Sequence, residues 1–287
     1  MANLKAIRRR IGSVRNTQKI TRAMKMVAAA RFRRAQEAAE AFRSYAEGSR
    51  AMLAEVAGGP EMREHPLFAR REVKQAVTLV LTSDRGLCGA FNGNLCRFVE
   101  AELRSRTPQP RLAVAGRKGY DYFSRRALPL APPLVGVWEE LGYATAARLA
   151  GELLPRYLAG ELDELWIGYN AFVSAVSQKP TLRRLLPIEP PARPEGEKGA
   201  RALFVFEPPT EELVARLVPM WLESEIFGAL LESVAAEHGA RMSAMDAATN
   251  NAEDMLRNLT LVYNRVRQGA ITRDLIDIVG GAEALHD

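Results

Sequence analysis

Residues 1–56 read MANLKAIRRRIGSVRNTQKITRAMKMVAAARFRRAQEAAEAFRSYAEGSRAMLAEV, with no proline and with Gly12 and Gly48 as the only glycines. Apolar residues recur at Leu4, Ile7, Ile11 and Val14, then Ile20, Met24 and Val27, then Phe32, Ala35, Ala39, Phe42 and Ala46. Steps of three and four predict an amphipathic helix, broken at Gly58-Gly59-Pro60. About 54 helical residues reach ~80 Å at 1.5 Å per residue. A compact domain is not that wide, so its own chain cannot cover this helix on all sides.

The far end repeats the pattern. Pro208-Pro209-Thr210-Glu211-Glu212 predicts a helix start, with Thr210 as cap and acids in the first turn. Apolar steps then run from Leu213 through Leu217, Phe227, Leu231, Met242, Met245, Leu256 and Val266 to Val279, ahead of Gly280-Gly281. Pro219 is expected to kink this helix or to mark its true beginning. Patterns this long without internal caps suggest a coiled coil, and two such helices at opposite ends of one chain can pair antiparallel. The seam is rich in Ala, Ser and Met, which packs closely but less strongly than Leu/Ile layers.

Charge supports that pairing. The whole chain carries a formal net charge of +6, but residues 1–56 hold 13 basic and 4 acidic side chains, whereas 210–287 hold 6 and 13. Ends of opposite sign favour each other, or partners of opposite sign. The basic runs Arg8-Arg9-Arg10 and Arg31-Phe32-Arg33-Arg34 also fit a nucleic-acid footprint, but only Phe32 and Phe42 interleave aromatically.

The middle has a different texture. Ala76 to Thr82 (AVTLVLT) is a buried-strand signal. Further strands are expected at Arg111–Ala115, Glu164–Phe172 and Leu203–Phe206. Helices are expected at Asn94–Arg106, Arg117–Arg126 and Tyr143–Tyr157. Alternating strands and helices argue for a small Rossmann-like α/β domain with a largely parallel sheet. The fold class read from the chain is therefore α/β: a long antiparallel coiled coil plus this domain. The expected boundaries are 1–57 for the first helix, 73–207 for the α/β domain, with a proline-rich loop at 187–199, and 209–285 for the second helix.

Most chemistries find no footing. A hydrophobic fraction of 47% and a charged fraction of 26% are those of a globular chain. No apolar window is long enough for a membrane helix, and Met1-Ala2-Asn3-Leu4-Lys5 lacks a secretory core. Cys88 and Cys96 make no disulfide framework, and His65, His238 and His286 are too scattered for zinc. Ser83 to Gly93 (SDRGLCGAFNG) lies where a phosphate loop belongs in an α/β fold, yet it matches neither phosphate-binding glycine pattern. It reads as a tight strand-to-helix turn. Asp84 and Arg85 read as a structural pair, and the cysteines as small buried hydrophobes. No cofactor, metal or catalytic constellation is expected. The last segment, Ile271 to Leu285 (ITRDLIDIVGGAEAL), grows more apolar toward its end. A free helix tip is ordinarily polar and frayed, so an apolar one implies that something grips it.

Four segments carry a family resemblance: QKITRAMKMVAAARFRRAQ (18–36), LTSDRGLCGAFNGNL (81–95), RMSAMDAATNNAEDML (241–256) and LVYNRVRQGAITRDLIDIVGGAEAL (261–285). Together they resemble the gamma subunit of bacterial-type F-type ATP synthases, the central rotor shaft. The resemblance spans essentially the whole chain and implies a non-catalytic subunit. Its terminal helices would turn inside a hexamer of alpha and beta subunits, coupling proton flow to ATP synthesis. The implied partners are those subunits, the epsilon subunit and the membrane c-ring, with no nucleic acid. The implied location is peripheral, on the cytoplasmic face of the cell membrane. By the same resemblance, Met24 and Lys25 lie near an acidic lever segment of a beta subunit. Arg241 lies in the shaft's contact zone, and Arg267, Gln268 and Thr272 meet a catalytic-subunit loop. Against this stand a basic coiled-coil nucleic-acid binder and an α/β enzyme with helical arms, the second disfavoured by the missing catalytic groups.

Overall fold

Helix α1 covers Leu4–Ala57, one uninterrupted helix over the described part of the expected 1–57. A computed structural model describes residues 4–57, 65–134, 136–139, 141–189 and 209–283. Strand β1 (Ala76–Leu81), helix α2 (Phe91–Arg104), strand β2 (Arg111–Ala115), helices α3 (Arg117–Phe123) and α4 (Tyr143–Leu158), and strands β3 (Glu164–Phe172) and β4 (Gln178–Leu186) follow, and helix α5 (Thr210–Glu283) closes the order.

Helix α5 runs from Thr210 to Glu283. It starts nine residues before Pro219, so Pro219 is interior to the helix and not its beginning. An interior proline forfeits one backbone hydrogen bond. Val214, Val218 and Leu222 around it have no solvent exposure, and their burial holds the turns that the proline weakens. The N–H groups of Glu212 and Leu213 donate to the Pro209 carbonyl at 3.0 and 3.1 Å, so Pro209 supplies the carbonyl that opens the helix. At the other end the helix runs through Gly280-Gly281 to Glu283. Glycine weakens a helix without forbidding it.

The chain divides into two compact units, one of Met1–Ala28 with Arg241–Asp287 and the other of Ala29–Ala240. In the first, Thr21 meets Thr249 and Lys25 meets Asp246. In the second, Phe42 meets Phe227 edge-to-face at 4.8 Å, and Arg50 meets Glu225. Within each unit the α5 number falls as the α1 number rises, so the helices run antiparallel.

The second unit also holds the sheet, in the order β2-β1-β3-β4. Strand β1 pairs parallel with β2 and with β3, whereas β3 and β4 form an antiparallel hairpin. The sheet is thus parallel at its centre and antiparallel at one edge, and β4 was not foreseen. Pro180 and the cations Lys179, Arg183 and Arg184 hide it from a periodicity reading, yet such residues are usual on an edge strand. The strand expected at Leu203–Phe206 and most of the proline-rich loop lie outside the described residues. The expected helices at 94–106, 117–126 and 143–157 are present with shifted ends.

Side chains alternate between the two faces of β1, and all six residues are buried. Val77, Leu79 and Leu81 join Leu165 and Ile167 against α4, α5 and Leu53 and Val56 of α1. Val80 faces the other way, with Leu112, Val114 and Phe123 under Leu95, Val99 and Leu103 of α2. Helices on both faces explain why β1 reads as an unbroken apolar run.

Charged groups tie the layers. The Glu225 carboxylate, 2% exposed, pairs with Arg50 of α1 and with Arg183 of β4 at 2.5 Å. The bond from Glu225 raises the Arg50 pKa beyond its usual range, against the opposing effect of burial. Asp163 ends the loop before β3. Its carboxylate accepts the Lys74 and Gln75 N–H groups at 2.9 Å each and pairs with Arg71 at 3.1 Å. Burial alone would raise the Asp163 pKa, but these donors hold it below the usual value.

Two predictions follow from these charges. Glu225→Ala strands two guanidiniums and should cost about 3 kcal/mol, the lower end for a buried pair because both arginines keep some water. Urea unfolding of the full chain measures it. A depressed carboxyl pKa contributes stability above its unfolded value, and that contribution is lost as pH falls through the folded one. Asp163→Asn should therefore destabilise the chain at pH 7 and flatten the loss of stability below about pH 4, read from thermal melts across pH.

Candidate partner-contact sites

The glycine-rich turn after β1 is braced by side-chain hydrogen bonds. The Ser83 N–H donates to Asn92 Oδ1 at 3.0 Å, and Asn92 Nδ2 donates back to Ser83 Oγ at 2.7 Å. Ser83 Oγ donates to the Arg85 carbonyl at 2.7 Å, and Asn92 Nδ2 reaches Cys88 Sγ at 3.3 Å. Asp84 accepts the Arg117 N–H at 2.9 Å, at the first residue of α3. Leu87 and Gly89 take positive φ angles of 65° and 58°, which turn the chain sharply into α2. Cys88 and Phe91 then pack with Ala236 and Ala240 of α5. The turn's polar groups serve the strand-to-helix connection, as the tight-turn reading expects. Cys96 is buried in α2, and desolvation pushes its thiol pKa up to about 12. It is an inert hydrophobe.

Close approach at the next turn is equally structural. Gly116 has φ +105°, and a Cβ there would lie 2.0 Å from the Thr82 carbonyl oxygen. Gly136 also has positive φ, at +77°, but open space around it. Gly116→Ala should cost about 3 kcal/mol or more, a fall of roughly 6 °C or more in Tm. Gly136→Ala should cost about 1–2 kcal/mol. Equal melting of the two variants would contradict the close contact.

The residues expected to touch partners all belong to the unit of Met1–Ala28 and Arg241–Asp287. They fall into two groups. Met24, Lys25 and Arg241 are half-buried. Arg267, Gln268 and Thr272 are exposed on α5. Lys25 has a partner within the chain: its Nζ donates to Asp246 Oδ1 at 2.6 Å. Beside it the Thr249 hydroxyl donates to that of Thr21 at 2.8 Å. Asp246, Thr21 and Thr249 were not singled out from the sequence. Residues more than 200 positions apart become neighbours only once the antiparallel register is known.

That register also locates the second group. The paired numbers total 270 for Thr21 and Thr249 and 271 for Lys25 and Asp246, so Leu4 falls across from Val266. Helix α5 continues from there to Glu283, about 25 Å at 1.5 Å per residue. Along this extension every residue from Ile271 to Val279 is exposed, including Ile271, Leu275, Ile276, Ile278 and Val279. On the helix Arg267, Ile271 and Leu275 share one face, and Gln268, Thr272 and Val279 an adjoining one. Large aliphatic groups become frequent from Ile271 onward, with Arg273, Asp274 and Asp277 among them. An apolar helix surface of this size marks an interaction site. No helix among the described residues is long and apolar enough to cross a membrane.

Comparisons with known proteins agree with one another. A family model described as ATP synthase matches residues 3–285. The ATP synthase gamma chain of Anaeromyxobacter sp. (strain Fw109-5) is 47% identical over 99% of this chain and all of that one. The gamma chain of Desulforamulus reducens is 44% identical over the full length of both. Among solved structures, a chain of the Euglena gracilis mitochondrial ATP synthase is similar with a TM-score of 0.68 and 19% identity, covering 99% of this chain and 94% of that one. A chain of the Tetrahymena thermophila mitochondrial ATP synthase central stalk and c-ring is similar with a TM-score of 0.62 and 24% identity, covering 80% of this chain and 99% of that one. These structural likenesses extend to the fold.

Proposed function

Because the chain belongs to the ATP synthase gamma-chain family, we propose that it works as the central rotor shaft of a proton-translocating F-type ATP synthase. The single observation that carries the mechanism is the exposed apolar extension of α5 beyond the register of α1. A helix with five large aliphatic side chains in water is disfavoured unless a sleeve covers it. The hexamer of alpha and beta subunits supplies that sleeve. The epsilon subunit and the membrane c-ring hold the α/β domain, and the chain sits peripherally on the cytoplasmic face of the membrane. The chain is itself non-catalytic; in its glycine turn Ser83 bonds Asn92 and the Arg85 carbonyl, and Asp84 accepts the Arg117 N–H of α3.

Rotation becomes chemistry through differential contact. The extension is one helix and not a symmetric plug, so each orientation presents different side chains to the three catalytic sites. A site's conformational equilibrium shifts only by the difference in contact energy between its states. Arg267 and Gln268 supply directional, charge-assisted contacts that can form and break at each step. The apolar residues nearer the tip supply contact without direction, which lets the surface slide. Met24, half-buried at the seam, adds a lateral contact that an acidic lever of a beta subunit would press on, and Arg241, also half-buried, adds to the shaft's contact zone.

Assembly tests this directly. Mixed with alpha and beta subunits, the chain should co-elute as one ATPase-active complex holding three alpha, three beta and one copy of this chain. Elution alone, with ATPase activity unchanged, would refute the shaft reading. Arg267→Ala with Gln268→Ala should leave the isolated chain's Tm within about 1 °C, since both side chains are exposed. The same pair should lower the ATPase rate of the assembled complex roughly tenfold, the worth of one charge-assisted hydrogen bond.

A further inference from the structure

The seam between α1 and α5 in the unit of Met1–Ala28 and Arg241–Asp287 is thin. Its buried described residues are Ile7, Thr21, Ala28, Met245 and Ala252. Two are alanines and one is a threonine, so apolar burial gives this part of the helix pair little grip. Alanine layers also discriminate poorly between one axial offset or rotation of two helices and another. Two polar contacts stand where the packing is weakest. Lys25 Nζ donates to Asp246 Oδ1 at 2.6 Å. One turn away the Thr249 and Thr21 hydroxyls lie 2.8 Å apart, the Thr249 proton shared between Thr21 and the Met245 carbonyl at 2.7 Å, and the Thr21 hydroxyl donates to the Gln18 carbonyl at 3.1 Å. Thr21 is 8% exposed, and the Lys25 and Asp246 side chains keep 42% and 46% of their surface. A slip of half a turn parts the two hydroxyls, each of which keeps only a carbonyl of its own helix, and an ammonium that slides past its carboxylate loses that directional contact across the seam. Polar residues at seam positions are the best-attested means by which a helix pair fixes its register.

We propose that Lys25 and Asp246, with Thr21 and Thr249, form a clasp that fixes α5 against α1. Lys25 therefore acts inside the chain as a positioning residue and not as the ligand of an acidic partner surface. The clasp itself does not depend on the rotor reading, and only its activity readout rests on that reading. The clasp assigns Lys25 a role different from the partner contact implied by family resemblance. Its chemistry is symmetric, because exchanging the two charges preserves the attraction, whereas a docking lysine cannot be exchanged for an aspartate.

Charge reversal separates the two roles. Lys25→Asp, Asp246→Lys and the double variant are prepared in the full chain. Amide hydrogen exchange is followed in residues 15–28 and 241–252. Each single variant sets like charges face to face and should speed exchange there roughly fivefold, and the double variant should return it to within about twofold of the parent. Singles that exchange at the parent rate, or a double variant as fast as the singles, would overturn the clasp. Assembled with alpha and beta subunits, the double variant should regain the ATPase activity that Lys25→Asp loses. If Lys25→Asp lost activity without faster exchange and Asp246→Lys did not rescue it, Lys25 would be a partner contact. A parent chain that bound neither subunit would overturn the rotor reading and leave the exchange result to decide the clasp.

Discussion

A carboxylate with almost no water around it sits where three elements meet. Glu225 of α5 is held by Arg50 of α1 and Arg183 of β4. Removing a carboxylate from water is costly unless its charge is met at close range. Here it is met twice, by cations from two different elements, and the helix pair and the hairpin edge must therefore come to one place. Hydrophobic burial around it is plentiful but lacks direction. Leu222, Ile226, Ala229 and Leu230 of α5 pack on the same core as Leu53 and Val56 of α1, and such layers tolerate small slips that a triad of charges does not. The neighbouring Glu232 shows the cost of weaker pairing. Its burial raises its pKa, and the Phe172 N–H and the more distant Arg183, Arg50 and Arg43 only partly offset that.

The same division of labour recurs along the helix pair. Where the sheet and α4 cover α5, large aliphatic residues have no exposure, among them Val214, Val218, Leu222, Ile226 and Leu230. In the other unit the buried residues are few and mostly small, and polar pairs take over. Nonpolar packing supplies stability where many elements converge, and hydrogen bonds supply register where only two helices meet. A pair of helices needs little else to stay aligned, and a thin seam leaves most of its circumference free for other surfaces.

The sequence announces the long helices because their period repeats over dozens of residues without a breaker, and β1, β2 and β3 because they are apolar runs set off by turns. Strand β4 is silent: QKPTLRRLL carries a proline and three cations, and its role as the edge of a sheet depends on a partner strand that periodicity cannot see. Pro219 misleads for a related reason. Local propensity says that a helix should begin or bend there, whereas this one begins nine residues earlier, with Val214 and Val218 buried by tertiary contacts that no local rule includes. The residues expected to touch partners are legible only in part. The exposure of Arg267, Gln268 and Thr272 follows from their polar side chains. The engagement of Lys25 with Asp246 does not, since it joins positions 221 residues apart.

The extension of α5 combines two opposed traits. It has the exposed aliphatic surface of a buried helix and the solvent contact of a free one. A helix that merely ended in water would lose nothing by carrying Lys and Glu at 271, 275, 276 and 278 in place of Ile and Leu. A helix locked permanently into a partner would be served by a matching stripe of interlocking large and small residues. This one carries aliphatic groups around much of its circumference, with Arg267, Gln268, Arg273, Asp274 and Asp277 interspersed. That distribution suits contact with a low-friction apolar surface from any azimuth, punctuated by polar bonds at a few angles. Such a surface makes the energy of the contact depend weakly on rotation at most angles and strongly at some, which is the property a shaft needs if its orientation is to set the state of what surrounds it.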